Sequence, residues 1–108
     1  MGKERSMGQF ALTEAVFYIL LSLKEPLHGY GIIQNVEELS HGRVKLAAGT
    51  LYGAINTLLE KNWIDALPEN PRSRKKEYVI TKEGKAVLSE ELSRLRELVE
   101  NGTRVLGE

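Results

Sequence analysis

The feature that most constrains the fold is an apolar heptad pattern in the last quarter of the chain. Apolar or small residues recur there at alternating steps of four and three, at Leu88, Leu92, Leu95, Val99, Gly102 and Leu106. This period of about 3.5 residues predicts one continuous helix with an apolar seam. From Lys82 to Leu106 the helix would be about 37 Å long. A helix of that length projects beyond a small domain, so it needs a partner, and a second copy of the chain is the simplest one.

Length and composition predict one folded domain without disulfides or a membrane span. A chain of 108 residues has room for one hydrophobic core, and its 42% hydrophobic and 28% charged residues differ from the composition of disordered chains. The absence of cysteine excludes a disulfide framework and a thiolate zinc site, and it fits a reducing cytosol. The apolar run from Ala15 to Leu23 is too short to cross about 30 Å of hydrocarbon. We therefore expect a cytoplasmic protein with no membrane partner.

Two helices are predicted in the first part of the chain. Apolar residues recur at spacings of three and four from Leu12 to Leu23, and Pro26 ends this first helix. Because the helix is apolar nearly all round, we expect it to be buried on more than one side. A second helix is predicted from about His28 to Leu39, with Gly42 just beyond its end. Tyr30 is expected in the core, with a phosphate contact as the alternative.

A third helix is predicted over residues 48–62, in the stretch "AGTLYGAINTLLEKN". Asn62 is expected to take the left-handed conformation that glycine usually adopts after a helix. Before this helix, the alternating residues "RVKL" at 43–46 could pair as a short strand. The buried stripe of the third helix is predicted to consist of Leu51, Ile55 and Leu58.

A long hairpin follows the third helix. "WIDAL" at 63–67 and "KEYVITK" at 76–82 are short, alternating and rich in β-branched and aromatic residues, so both are predicted strands. Thr81 is a predicted N-cap of the C-terminal helix. The resulting order predicts a winged helix-turn-helix, a mainly α fold of the α+β class. In this interpretation residues 8–81 form the DNA-binding domain, and residues 82–108 form a dimerisation helix belonging to the same compact unit.

No enzymatic constellation is present in the sequence. The two histidines, His28 and His41, do not have metal-ligand spacing, and neither a Gly-x-Ser-x-Gly motif nor a phosphate-binding loop occurs. "HGYG" contains glycines but does not follow a predicted strand. We therefore expect a protein that is not an enzyme, with no catalytic residue, no bound metal and no cofactor.

The outward face of the third helix is small and uncharged, which suits close approach to a partner. Such a face can enter a DNA major groove about 12 Å wide, where Asn56 can bond adenine bidentately and Thr50 can reach a phosphate or a base. Exposed N–H groups at the start of the helix also favour a phosphate. The competing interpretation is an ordinary amphipathic helix that lacks charge. The residues assigned to this face and its first turn are Gly49, Thr50, Tyr52, Gly53, Asn56 and Thr57.

The hairpin tip supplies a second candidate contact with DNA. The formal net charge of the chain is zero, so any anion-binding surface must be local. Taken alone, the basic tip would be interpreted as a solvated loop. Because it follows a helix that suits the major groove, we expect it to be a wing that binds phosphates or the minor groove. The wing residues are Arg72, Arg74, Lys75 and Lys76.

Three motifs, taken in order, resemble the PadR family of bacterial transcriptional regulators. They are "LHGYGI" at 27–32, "GTLYGAINTLLEKNWI" at 49–64 and "RSRKKEYVITKEG" at 72–84. Together they cover most of residues 10–84. The single long C-terminal helix is similar to that of the short subclass of this family.

The resemblance implies a homodimeric winged-helix repressor that binds a pseudo-palindromic operator in double-stranded DNA, released in many members by a small aromatic or cationic effector. It also implies that Thr50 and Tyr52 lie near the DNA backbone and that the C-terminal helix contacts the first helix of the second subunit. The alternative is a winged-helix protein-interaction module that uses its C-terminal helix as a coiled-coil arm. The expected dimer interface comprises Leu12, Val16, Leu88, Leu92, Leu95, Val99 and Leu106.

Overall fold

The structure, a computed structural model, describes residues 11–69, 71–72 and 75–108 and shows helices and strands in nearly the predicted order. The predicted fold class is confirmed: the chain is a winged helix, mainly α, with a small antiparallel sheet and a long C-terminal helix. Residues 8–10 of the predicted DNA-binding domain lie outside the described residues. The elements are α1 (Glu14–Ser22), β1 (Leu27–His28), α2 (Gly29–Leu39), α3 (Ala48–Glu60), β2 (Ile64–Ala66), β3 (Glu77–Ile80) and α4 (Lys82–Leu106).

The hydrophobic core lies between α1, α2 and α3. The predicted stripe of α3 is confirmed, since Leu51, Ile55 and Leu58 are at most 2% exposed. Each such side chain stabilises the fold by about 1.5–3 kcal/mol relative to an exposed one, so the stripe determines which face of α3 points outward. The largest fully buried side chains of α1, α2 and their connection are Ile19, Leu20, Leu23, Ile32 and Val36.

Polar contacts join the first two helices. Thr13 caps α1 by accepting a 3.1 Å hydrogen bond from the Val16 N–H. The buried Ser22 hydroxyl donates to the Tyr18 carbonyl at 2.8 Å and accepts from Asn35 Nδ2 at 2.9 Å, which ties α1 to α2. The prediction that Tyr30 lies in the core is wrong. Its side chain is 64% exposed because the turns of α2 that face the core carry Ile32 and Val36.

The sheet has the order β1-β3-β2, with both pairs antiparallel. The hairpin strands β2 and β3 were predicted, and they pair in a register that places Ile64 opposite Ile80. The strand expected at 43–46 does not form. Instead, Leu27 and His28 pair with the other edge of β3, while Ser40 engages the backbone of the 43–46 segment by accepting from the Val44 N–H at 2.9 Å.

The junction between α3, the hairpin and α4 follows the predicted local signals. Asn62 has a φ of 62°, as expected for the residue that ends α3. Thr81 caps α4 by accepting from the Gly84 N–H at 3.0 Å, and its hydroxyl donates to the Asn62 carbonyl at 2.7 Å. A Cβ on Gly84 would lie 2.2 Å from the Trp63 carbonyl oxygen. Only glycine therefore lets α4 begin this close to the start of β2.

The first half of α4 packs on α1 and is fixed there by a buried carboxylate. Glu91 is 6% exposed. Its carboxylate accepts from the Leu12 N–H at 3.1 Å and from Arg94 in two hydrogen bonds of 2.9 and 2.6 Å. This hydrogen bonding with Arg94, assisted by the Leu12 N–H, lowers the Glu91 pKa from its ordinary value, although burial acts in the opposite direction.

The second half of α4 extends beyond the other elements. We call its apolar side chains the exposed α4 face; they are Leu98, Val99, Val105 and Leu106, with exposed fractions of 51%, 67%, 74% and 71%. The residues expected at a dimer interface thus divide into two groups. Leu12, Val16 and Leu88 are partly buried against the core within one chain, whereas Leu92, Val99 and Leu106 are largely uncovered. Leu95 is half-buried between them.

The Glu91 contact predicts acid-sensitive stability. Because the folded-state pKa of Glu91 is lowered, its stabilising contribution is present above the ordinary glutamate pKa of about 4.3 and is lost as the pH falls through the lower folded value. We expect Glu91→Gln to lower the free energy of unfolding at neutral pH, and the difference from the unsubstituted protein to shrink below about pH 4. Urea unfolding of both proteins across this pH range, at fixed protein concentration, measures the loss of stability at neutral pH and the smaller difference at acidic pH.

Glu97→Gln provides the matched control for this experiment, because Glu97 is an exposed carboxylate on the same helix. It should leave the pH dependence of the unsubstituted protein unchanged. A Glu91→Gln protein whose stability stays parallel to that of the unsubstituted protein from neutral to acidic pH would contradict the role assigned to this carboxylate.

Candidate nucleic-acid interface

The outer face of α3 is exposed along its whole length and carries no charged side chain before Glu60. Thr57 bonds within the helix, donating from its hydroxyl to the Gly53 carbonyl at 3.3 Å, so its methyl group and oxygen lone pairs remain on the surface. Asn56 stands one turn after Tyr52 with an exposed amide. The predicted face residues Gly49, Thr50, Tyr52, Gly53, Asn56 and Thr57 are all exposed.

Two positions of this face carry glycines that no contact among the described residues requires. Apart from the sequence neighbours and the backbone of α3 itself, no described atom lies within 4 Å of a Cβ added to Gly49 or Gly53. Neither residue has a positive φ. A glycine inside a helix costs about 1 kcal/mol relative to alanine. The two glycines therefore weaken α3 without improving its packing within the chain, as expected for a face that another molecule must approach closely.

The first turn of α3 presents its N–H groups without a side-chain cap. Ala47 occupies the N-cap position and makes no capping hydrogen bond, because its methyl side chain has no acceptor. The first-turn residues Gly49 and Thr50 are exposed. Unbonded N–H groups and the positive end of the helix dipole favour an anion at this position. The Thr50 hydroxyl adds a donor to the same end of the helix.

Tyr52 differs from its neighbours because its ring lies against another element. The phenol packs on Gly29 at the start of α2, so close that an added Cβ there would lie 2.1 Å from Tyr52 Oη. The side chain is still 46% exposed. Burial raises the pKa of the nearby Tyr78 hydroxyl, and the charge of ionised Tyr52 raises it further. Tyr52 thus connects the outer face of α3 with the start of α2.

The wing begins where the hairpin leaves the sheet. There the Leu67 N–H donates to the Glu77 carbonyl at 2.9 Å and joins the two sides of the hairpin. Arg72, Lys75 and Lys76 are exposed beyond it. Arg74, the fourth predicted wing residue, lies outside the described residues.

The two candidate contact surfaces follow each other directly along the chain. The α3 face ends at Glu60, and the Asn62 turn leads directly into β2 and the wing. The sequence prediction missed Gly29, which adjoins this region, because its tight contact is with Tyr52 of another helix. In the part of the chain that the structure describes, no group of three or more histidine, aspartate or glutamate residues could hold a metal ion.

Comparison with protein families gives one clear match. The model of the transcriptional regulator PadR-like family matches residues 16–90, more than two thirds of the chain. This region includes α2, α3 and the hairpin, so it contains both candidate contact surfaces. A search of curated proteins finds no significant match.

Solved structures with similar folds include several regulators. A PadR family transcriptional regulator from Eggerthella lenta DSM 2243 is 26% identical, with a TM-score of 0.70 over 95% of this chain and 86% of that chain. A PadR family regulator from hypervirulent Clostridium difficile R20291 is 24% identical, with a TM-score of 0.70 over 86% and 97%. A PadR-like transcription factor from Bacteroides fragilis is also 24% identical, with a TM-score of 0.69 over 97% and 99%.

Proposed function

This chain belongs to the PadR-like family of transcriptional regulators and is a DNA-binding regulator, not an enzyme, and from that premise we propose that it is a homodimeric repressor of a pseudo-palindromic operator. In this proposal α3 enters the major groove and the wing lies along the adjacent backbone. The two copies of α3 meet successive major grooves about 34 Å apart. The exposed face of α3, with two glycines that the fold itself does not need, is the observation that carries the proposal.

The α3 face supports direct reading of bases. Asn56 can accept from and donate to the edge of an adenine in one bidentate contact. Gly53 lies nearly one turn before Asn56, and the absence of a side chain there brings the helix backbone closer to the base edges. Gly49 and Thr50 stand at the N-terminus of α3, where backbone N–H groups and a hydroxyl suit a phosphate. Thr57 can place its methyl group against a thymine methyl.

The wing supports contacts that do not depend on base sequence. Arg72, Lys75 and Lys76 are exposed at the end of the hairpin, and Arg74 belongs to the same basic segment of the sequence. Because the formal net charge is zero, these local charges must supply much of the attraction to phosphates. Phosphate contacts position a protein on the duplex, while contacts with base edges provide specificity. We therefore assign positioning to the wing and base recognition to α3.

The homodimer is supported by two apolar surfaces on the same chain. One is the exposed α4 face. The other is an apolar groove between α1 and the first half of α4, lined chiefly by Phe17, Leu20, Leu21, Leu88 and Leu92. In a two-fold dimer the same surface of each copy is buried. A second copy that places its α4 in this groove would cover both surfaces at once.

The proposal includes release from DNA by a small-molecule effector, which the family resemblance implies. The composition of α4 excludes one mode of effector binding. This helix contains no phenylalanine, tyrosine or tryptophan between Lys82 and Leu106. A flat effector is therefore not stacked between aromatic side chains of two α4 helices.

Selection of bound sequences from a random pool of duplexes tests base recognition. We expect enrichment of a pseudo-palindrome whose half-sites lie about one helical turn apart. Asn56→Ala should relax the preference at one position in each half-site, worth about 1–3 kcal/mol of discrimination. Gly53→Ala should stabilise the helix by about 1 kcal/mol and still lower affinity for the selected duplex about tenfold or more.

Ser93→Ala is the matched control, because Ser93 is an exposed helical position remote from α3. It should leave DNA affinity unchanged. Enrichment of no sequence by the unsubstituted protein would overturn the proposed operator. A Gly53→Ala protein that keeps full affinity would contradict the placement of α3 in the major groove.

The wing predicts a fall in affinity that is independent of sequence. Replacing Arg74 and Lys75 with alanine should weaken binding to selected and unrelated duplexes by the same factor. The slope of log affinity against log salt should fall by about 0.9 for each phosphate that the variant no longer neutralises. A gel-shift titration at several salt concentrations measures both effects, and unchanged affinity at moderate salt would exclude the wing from the interface. Arg96→Ala, which removes an exposed arginine of α4 outside both the hairpin tip and α3, serves as the charge control.

The dimer predicts that a charge on the exposed α4 face separates the copies. Val99→Glu should convert the protein to a monomer in sedimentation experiments and lower affinity for the selected duplex roughly 100-fold or more, because the two half-sites are then bound independently. Ser93→Glu adds the same charge on a side of α4 turned away from that face and should leave the dimer intact. An unsubstituted protein that sediments as a stable monomer would contradict the homodimer.

A further inference from the structure

The "HGYG" motif at residues 28–31 has no role in the interface described so far. His28 ends β1, and Gly29 and Gly31 lie in the first turn of α2. Neither glycine has a positive φ, so the backbone conformation does not require them. Both are nevertheless places where a side chain would collide with a neighbour. The motif therefore provides space for side chains that pack against the start of α2.

The neighbour at Gly29 is Tyr52 of the recognition helix. A Cβ at Gly29 would lie 2.1 Å from Tyr52 Oη and 2.8 Å from Tyr52 Cζ, distances that real Cβ atoms do not tolerate. The neighbour at Gly31 is different. A Cβ there would lie 2.7 Å from Leu27 Cδ1 and 3.3 Å from His28 Cε1, so Gly31 accommodates β1 and not α3.

The start of α2 is joined to the sheet. Gly29 directly follows His28 of β1, and β1 pairs with β3, with Leu27 opposite Tyr78 and His28 opposite Glu77. Tyr78 is 7% exposed in this central strand, which also pairs with β2. The Tyr52 ring therefore packs against a turn that is held to the strand that continues into the wing.

We propose that Gly29 is a positioning residue, which seats the Tyr52 ring against the first turn of α2 and thereby fixes the α3 face relative to β1, β3 and the wing. The inference rests on the proposed function, in which α3 and the wing bind one duplex. Recognition groups must be held within about 0.5 Å of their productive geometry. Thr50, Gly53 and Asn56 lie within about one turn of Tyr52 on the same helix, so displacing the ring affects the part of α3 that reads bases.

A double-mutant cycle between Gly29 and Tyr52 tests whether Gly29 positions the Tyr52 ring; we call this contact the seat. Gly29→Ala should lower affinity for the selected duplex about tenfold or more and change affinity for unrelated duplexes less than about twofold. In a Tyr52→Ala background the same substitution has room, so it should change affinity for the selected duplex less than about twofold. The ratio of the affinity for the selected duplex to the affinity for unrelated duplexes distinguishes a positioning effect from a loss of folded protein. A smaller folded fraction lowers both of these affinities equally.

Gly31→Ala is the matched control. It creates a milder collision in the same turn of α2, at 2.7 Å from Leu27 Cδ1, so Tyr52→Ala should not relieve its effect on the free energy of unfolding. If Gly29→Ala alone does not fold, restored folding in the double variant supports the seat, and an unfolded double variant overturns it.

The remaining outcomes distinguish this inference from the proposed function. Equal reductions in affinity for the selected duplex from Gly29→Ala in both backgrounds, or no reduction in either, overturn the positioning role while leaving the repressor intact. An unsubstituted protein that selects no duplex overturns the proposed function. In that case coupling between Gly29 and Tyr52 in the free energy of unfolding still decides whether the seat exists.

Discussion

The arrangement of this protein depends on one backbone turn, formed by Asn62 and Trp63. The Trp63 carbonyl accepts from the Thr81 N–H at 2.9 Å, and the Asn62 carbonyl accepts from the Thr81 hydroxyl at 2.7 Å. Gly84 packs against the same turn, where no side chain would fit. The end of α3, both hairpin strands and the start of α4 therefore meet at one point. These contacts join α3 to α4 directly, and dense packing at this point leaves little room for the two helices to move relative to each other.

The features that the sequence predicts correctly are those encoded by near neighbours. The stripe of Leu51, Ile55 and Leu58 follows helical spacing, and the Asn62 turn and the Thr81 cap each depend on a few adjacent residues. The strand at Leu27 and His28 was missed because two residues carry no alternating pattern. It exists only through pairing with Tyr78 and Glu77, about fifty positions later in the chain.

The candidate interface likewise contains some features that the sequence predicts and others that it does not. The exposure of Gly53 and Asn56 follows from the buried stripe, so helical periodicity is sufficient to predict it. The role of Gly29 depends on Tyr52, which the fold brings across from another helix. Tyr30 was assigned to the core because a tyrosine in an apolar helix usually packs, but the register of α2 turns it outward. The buried contacts of Glu91, on the apolar side of α4, could not be predicted from the sequence pattern, since its partners are a backbone N–H and Arg94.

In the proposed function, separate base-reading and dimer surfaces let a chain with no net charge act on a polyanion. Long-range attraction to DNA is weak when positive and negative charges balance, so binding has to come from correctly placed local groups. In the proposed dimer, two copies of one α3 face held at a fixed spacing would multiply a modest contact into specific binding. That spacing would pass from α3 through the Asn62 turn into α4, and the exposed α4 face is where the second copy would set it. The proposal therefore makes the turn as important for recognition as the side chains of α3.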